Sequence, residues 1–276
     1  MRDYLNHISI FHWCLFAVGM IMAASGSVLL LQEEINGWSE LKIGGPKNTD
    51  SSLIDKDITY EGDFSEDLTG KGTITWAHER VYEGEVIAGL PAGKGTMLFA
   101  DGRRYRGHFS AGKMQGIGKM QWPDGSFYRG EFVNNTFNGL GDYTSANGDR
   151  FEGEFKNEKP HGRGTFRMSS GDIYMGEVNN GNMEGRGTLA FVDGSIYQGN
   201  FIKGLMHGEG ERTWPNGNMY QGLWKMGLRQ GSGAITFTNG DRLEGEFHND
   251  KIQRLKRCYS SGIETPCSFF KKGVLN

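Results

Sequence analysis

One short phrase returns along this chain at a fixed interval, and that interval limits the possible folds more than any other feature. A large aromatic or apolar residue stands two places before a glycine at Tyr60, Tyr82, Tyr105, Tyr128, Phe151, Tyr174, Tyr197, Tyr220 and Leu243; the first step is 22 residues and the other seven are 23. A second phrase, G-x-G, begins at Gly70 and recurs every 23 residues through Gly231. Such a period marks one supersecondary unit stacked on copies of itself, because a unit this short cannot bury a core alone.

Each unit reads as a hairpin. Tyr128, Gly130 and Phe132 alternate with Arg129 and Glu131, the pattern of a half-buried antiparallel strand. Gly116, Gly118, Met120 and Trp122 alternate in the same way on the second strand. Aromatics and glycines therefore gather on one face, with the glycines leaving hollows for neighbouring rings. Between units stand Asp101-Gly102, Asp124-Gly125, Asn147-Gly148, Asp193-Gly194, Asn216-Gly217 and Asn239-Gly240. These are the pairs favoured in tight hairpin turns that need positive φ. Composition agrees. The 44 glycines among 276 residues follow no collagen period, and 17 Phe, 10 Tyr and 6 Trp argue against a disordered linker.

The pattern Y-x-G-E-F, a short polar loop such as KNEKPHG at 156–162, then G-x-G-T and an Asp-Gly turn resembles the MORN repeat (membrane occupation and recognition nexus). The resemblance covers 58–250, eight full units and a ninth first strand. It implies an all-β fold, an elongated single-layer antiparallel sheet of stacked β-hairpins with a grooved face. It also implies binding of phospholipids such as phosphoinositides and phosphatidic acid, with no catalysis.

Residues 8–31, from Ile8 to Leu31, carry no formal charge beyond His12. As a helix they would reach about 36 Å, enough for a hydrocarbon core of about 30 Å. A single-pass signal anchor is expected, with a cleaved signal ending near Ala23-Ala24-Ser25 as the alternative. The organisation is then 1–7 N-terminal segment, 8–31 transmembrane helix, 32–57 linker, 58–250 repeat array and 251–276 basic tail. Charge leaves the orientation open, since Arg2 precedes the span and Lys42 and Lys47 follow it. Cys258 and Cys267 flank Ser-Ser-Gly and Pro, so a disulfide is within reach. Such a bond favours an extracytoplasmic array.

Chemistry-bearing residues are few. His161 and His207 share one repeat position two units apart, roughly 19 Å at about 4.8 Å per strand, too far for a shared ion. GLPAGKGT, from Gly89, lacks both the spacing and the Ser or Thr of a phosphate loop. Asp63, Glu85, Glu131, Glu154, Glu177 and Glu246 recur at one position and read as a solvated acidic face. Asn134-Asn135-Thr136 is a glycosylation sequon. Residues 58–250 carry 20 basic and 25 acidic side chains, against 6 and 1 in the tail, which argues against nucleic acid. No catalytic residue, metal or cofactor is expected. A protein partner is expected on the aromatic face, through Tyr105, Trp122, Tyr128, Phe151, Tyr174, Tyr197, Trp214 and Tyr220. Membrane phospholipids and pairing of two copies through open strand edges are the alternatives.

Overall fold

The structure, a computed structural model, describes residues 58–77 and 79–270. The anchor expected at 8–31 and the segments at 1–7 and 32–57 lie outside the described residues. Among the described residues no helix is long and apolar enough to cross a membrane.

The described chain is all-β, with 19 strands. Of its two compact units, the first holds 58–148 and 152–159 and the second holds 149–151 and 160–270. The first contains β1 (Ile58–Phe64), β2 (Gly70–Trp76), β3 (Arg80–Ile87), β4 (Leu90–Leu98), β5 (Arg104–Ser110), β6 (Lys113–Gln121), β7 (Phe127–Val133) and β8 (Thr136–Thr144). Each is antiparallel to the next in sequence. The residues of β9 (Arg150–Lys156) fall in both units. The second contains β10 (Lys159–Arg167) apart from Lys159, β11 (Ile173–Asn179), β12 (Asn182–Ala190), β13 (Ile196–Ile202), β14 (Leu205–Thr213), β15 (Met219–Lys225), β16 (Leu228–Thr236), β17 (Arg242–His248), β18 (Lys251–Ser260) and β19 (Ile263–Glu264). These too pair antiparallel in chain order. A short 3₁₀ helix, Cys267–Phe270, follows.

The core of each unit is a ladder of rings lying on glycines. Tyr82, Tyr105, Tyr128, Tyr174, Tyr197 and Tyr220 are 0% exposed. Each lies over the glycine two residues ahead and the glycine facing it. A Cβ on Gly141 would stand 2.4 Å from the Tyr128 ring, and one on Gly130 would stand 2.5 Å from its hydroxyl. Between successive tyrosines sits a second ring, edge to face. Tyr82, Phe109, Tyr105, Phe132, Tyr128 and Phe155 alternate in the first unit, and Tyr174, Phe201, Tyr197, Trp224, Tyr220 and Phe247 in the second. Edge-to-face pairs contribute about 0.5–1.5 kcal/mol each beyond the area they bury.

The phenol oxygens explain why tyrosine predominates in a column that otherwise holds Phe151 and Leu243. β1 and β2 pair one to one, but in the hairpins β3–β4, β5–β6, β7–β8, β11–β12, β13–β14, β15–β16 and β17–β18 the second strand carries extra residues. Gly130 faces Gly141 and Phe132 faces Phe137, so Glu131 alone stands against Asn138, Gly139 and Leu140. The bulge needs a left-handed residue, and Gly139 has φ 81°. The Tyr128 hydroxyl donates to the Glu131 carbonyl at 3.1 Å, and the Glu131 carboxylate accepts from the Leu140 N–H at 3.0 Å. Glu85 and Glu177 accept from Lys94 and Arg186 in the same way. These three carboxylates therefore cap bulges, where the sequence suggested only a solvated face.

Turn chemistry also differs from the expectation. At Asp124-Gly125 only the glycine has positive φ, and Gly125 N–H bonds the Trp122 carbonyl while Ser126 N–H bonds the Asp124 carboxylate. The two-residue turns with both φ positive lie at the other end of the hairpins after the first, as at Asn134-Asn135 (49° and 73°). Their N–H groups point back at the preceding repeat. Asn135 N–H donates to the Met114 carbonyl, Met114 N–H to the Asn135 side chain, and Asn134 N–H to Gln115. The column holding His161 and His207 is thus a column of acceptors stapling repeats, filled by Gln115, Asn138, Glu184 and Gln230 in their own repeats.

Several of these turns force ordinary residues into the left-handed region, Ala111 at φ 47° among them. Ala111→Gly should raise the urea midpoint. The relief of about 1–2 kcal/mol outweighs the extra freedom glycine gives the unfolded chain, about 0.4–1 kcal/mol. A lowered midpoint would mean the turn is not left-handed there.

The basic segment set apart from residue 251 instead enters the sheet. β18 pairs with β17 through two register shifts and completes the ninth hairpin. Arg254 and Lys256 replace the glycines of the repeat in this strand.

Candidate functional site

The ring ladder decides which surfaces are free. Tyr105, Tyr128, Phe151, Tyr174, Tyr197 and Tyr220 are 0% exposed, so the expectation that they meet a partner is corrected: they fill hollows over their own glycines. Burial is also what raises the pKa of these tyrosines, and Tyr197 and Tyr220 are pushed up to about 12. Of the eight candidates only Trp122 and Trp214 reach solvent, both half-buried at the Gly-turn ends of their hairpins. Trp122 meets Phe137 and Tyr143 edge-on, and Trp214 lies between the guanidinium groups of Arg212 and Arg229, 5.4 and 6.0 Å from its centroid.

The open surface is the opposite, polar face. In the first unit this face is covered, because Arg129 reaches Asp142 at 3.0 Å with side chains 15% and 2% exposed, and the paired glycines Gly107, Gly118, Gly130 and Gly141 are buried beneath. In the second unit the Asp142 position carries Thr188 and Ala234, and Ser232 stands at the position of Leu140, all too short to cover the backbone. The glycines there, Gly187, Gly199, Gly210, Gly222 and Gly233, are half-exposed. They floor a groove of about 1100 Å³ across β12–β18.

Hydrogen-bonding groups line that groove. Gln198 and Gln221 are exposed, and neither side chain makes a hydrogen bond to another described residue. Glu209 and Glu211 stand beside them, and the charges of Arg186, Arg242 and Lys256 balance those of Glu209, Glu211 and Glu244. Arg242 is tied to Glu244 at 3.1 Å, and Lys256 to Glu246 across the rim. The Lys256 and Ser232 hydrogen bonds hold the Glu246 carboxyl below its usual range. No cluster of three potential metal ligands occurs among the described residues. A smaller pocket of about 340 Å³ lies in the first unit, where Arg80 stacks on Trp76 at 3.9 Å.

Sequence reasoning missed this groove because its signal is the shortness of three side chains on the face opposite the motif. Cys258 and Cys267 are joined in a disulfide with Cα atoms 5.2 Å apart, closing the C-terminal end of the sheet.

Eight consecutive segments, 60–77, 82–103, 105–127, 128–150, 151–173, 174–196, 197–219 and 220–242, match the family model of the MORN repeat. No curated protein sequence matches the chain. Among solved structures it is similar to the TCP10 domain of Danio rerio CPAP, at 12% identity and TM-score 0.40, covering 75% of this chain and 94% of that one. It is also similar to the SAS-4 (dCPAP) TCP domain of Drosophila melanogaster, solved in complex with a proline-rich motif of Ana2, at 12% identity and TM-score 0.38, covering 66% and 99%.

Proposed function

Because this chain belongs to the MORN repeat family, we propose that it is a non-enzymatic, membrane-anchored scaffold whose polar groove holds an extended segment of a protein partner. MORN repeats are generally scaffolds that bind proteins or lipids. The observation carrying the protein reading is the half-exposed glycine strip in the second unit, bordered by Gln198 and Gln221 with unused donors and acceptors. A peptide backbone supplies matching groups in both senses. Anionic headgroups would need an excess of positive charge, and the groove's three cations are offset by three carboxylates.

The test fills the groove. Thr188→Trp with Ala234→Trp in the full chain should abolish cross-linking to the partner, while Ile87→Ser, at an exposed position of the first unit, should leave it intact. Loss of cross-linking in both, or in neither, would refute the groove as the contact. Binding of the chain to anionic vesicles, lost with the same double substitution, would favour the phospholipid reading.

Anchoring is proposed through 8–31, with the array on the extracytoplasmic side. The charge-free run in the sequence and the pairing of Cys258 with Cys267 support it. Alkylation without reduction, on protein from the native host, should recover the two cysteines as one disulfide-linked peptide pair. Two alkylated thiols would place the array in a reducing compartment instead.

A further inference from the structure

Two strand edges lie open among the described residues, and their charges are opposite. β1 pairs only with β2, and its sequence carries Glu61 and Asp63, followed by Glu66 and Asp67. On its outer side β18 pairs only at Tyr259 and Ser260, with β19, leaving the stretch with Lys251, Arg254, Lys256 and Arg257 uncovered. The two edges also fit by position in the repeat. β18 is the second strand of a hairpin, whose outer neighbour elsewhere is a first strand, and β1 is a first strand with no second strand before it among the described residues. Tyr60 and Phe64 are half-buried where the matching Tyr105 and Phe109 are buried, and Phe64 lies edge-on to the Tyr60 ring.

Strand register favours the same pairing. β16 meets β17 with Gly233 opposite Gly245 and Ile235 opposite Leu243. One repeat on, that register sets the next aromatic opposite Cys258 and the residue after it opposite Arg257. In β1 these are Tyr60 and Glu61. Pairing two β1 edges antiparallel about their midpoint would instead oppose Glu61 with Glu61, which repels. A symmetric dimer through β1 is disfavoured, and a head-to-tail join is favoured.

The C-terminal edge is closed where that join would form. β19 takes up Tyr259 and Ser260, Thr265 N–H donates to the Cys258 carbonyl at 2.8 Å, and the Cys258–Cys267 disulfide holds the turn in place. In the continued register Ile58, Thr59 and Tyr60 would face those occupied positions. We infer that the β1 edge receives the β18 edge of a second copy of this chain, and that the disulfide-held cap prevents this until the bond is reduced. A dithiol attacks the half-buried Cys267 sulfur, the Cys267–Cys258 bond breaks, Cys258 leaves as a thiolate and takes a proton, and the second thiol of the reductant then releases Cys267 while the reductant becomes a disulfide. β19 then detaches and the whole β18 edge becomes available.

The test measures the mass of the full chain in mild detergent, oxidised and after treatment with dithiothreitol. The oxidised chain should keep the mass of one protomer at every concentration. The reduced chain should grow to multiples of it as concentration rises, and less so at high salt. Glu61→Arg with Asp63→Arg should hold the reduced chain at one protomer, as should Arg254→Glu with Arg257→Glu. Mixing the two variants should restore growth, because each reversed edge then meets its complement. Circular dichroism confirms that each variant is folded. A reduced chain that stays at one protomer, or one whose association ignores the charge reversals, overturns the inference.

Discussion

Tyr128→Ala should lower the stability of the repeat array by about 3–5 kcal/mol, the cost of emptying a fully buried ring site. The ring meets Phe132, Phe137 and Phe155, with centroids 5.3, 4.3 and 5.0 Å away, so three neighbours lose a packing surface at once. Tyr128→Phe keeps those contacts and loses the hydroxyl's bond to Glu131, a cost of about 1 kcal/mol. Gly141→Ala is the informative companion. In an ordinary strand alanine would help by restricting the unfolded chain. Here its Cβ would stand 2.4 Å from the Tyr128 ring, so a loss of about 1–3 kcal/mol is expected. Urea unfolding followed by circular dichroism checks all three, and a Gly141→Ala chain as stable as the parent would contradict the ring-on-glycine core.

A second large effect is expected in alkali. Burial raises the folded pKa of Tyr197 and Tyr220 to about 12, against an ordinary value of 10.0, and raises those of Tyr82, Tyr105, Tyr128 and Tyr174 further. The folded state therefore holds these protons more tightly than the unfolded chain. The stability they contribute is complete below pH 10 and is lost as pH rises through the folded values, by about 3 kcal/mol for each of Tyr197 and Tyr220 at a shift of two units. The array should unfold cooperatively between about pH 10 and 12, with phenolate absorbance rising in the same step. Ionisation of all 10 tyrosines near pH 10 in a chain that remains folded would show the six buried rings to be in water.

Much of this architecture was legible in the sequence because its signals are local and repeated. The step between Tyr105, Tyr128 and Phe151 defines the brick, and the alternation through Gly130 and Phe132 defines the strand and its inner face. Even the purpose of the glycines could be read, since Gly118 and Gly141 are useless to a strand unless something fills the space above them. What the pattern does not reveal is how completely the face closes on itself. That depends on the bulge at Gly139, which lets the Tyr128 hydroxyl reach the Glu131 carbonyl and the ring lie flat over its glycines. An aromatic face that looked like a contact surface is for that reason a core.

The groove was illegible for the opposite reason. Thr188 and Ala234 fall at the position where Asp142, in the first unit, holds Arg129 over the sheet, and short residues announce nothing until the neighbouring strands are in place. Asp124-Gly125 was recognised as a turn, yet the turn with two left-handed residues belongs to Asn134-Asn135, whose N–H groups are aimed at the preceding repeat. Stapling between repeats is a long-range demand, and a dipeptide preference cannot register it. The basic run from Lys251 lost its glycines and so dropped out of the repeat pattern, although its backbone still pairs with β17.

Hydroxyl-radical footprinting of the native full chain tests the central claim most directly, because it reads the solvent exposure of individual rings. Trp122 and Trp214 should be oxidised in the folded protein, while Tyr105, Tyr128, Phe151, Tyr174, Tyr197 and Tyr220 should stay protected until denaturant is added. Labelling of those six at the rate of the two tryptophans, in a chain that is still folded, would return the aromatic face to the surface and contradict the account.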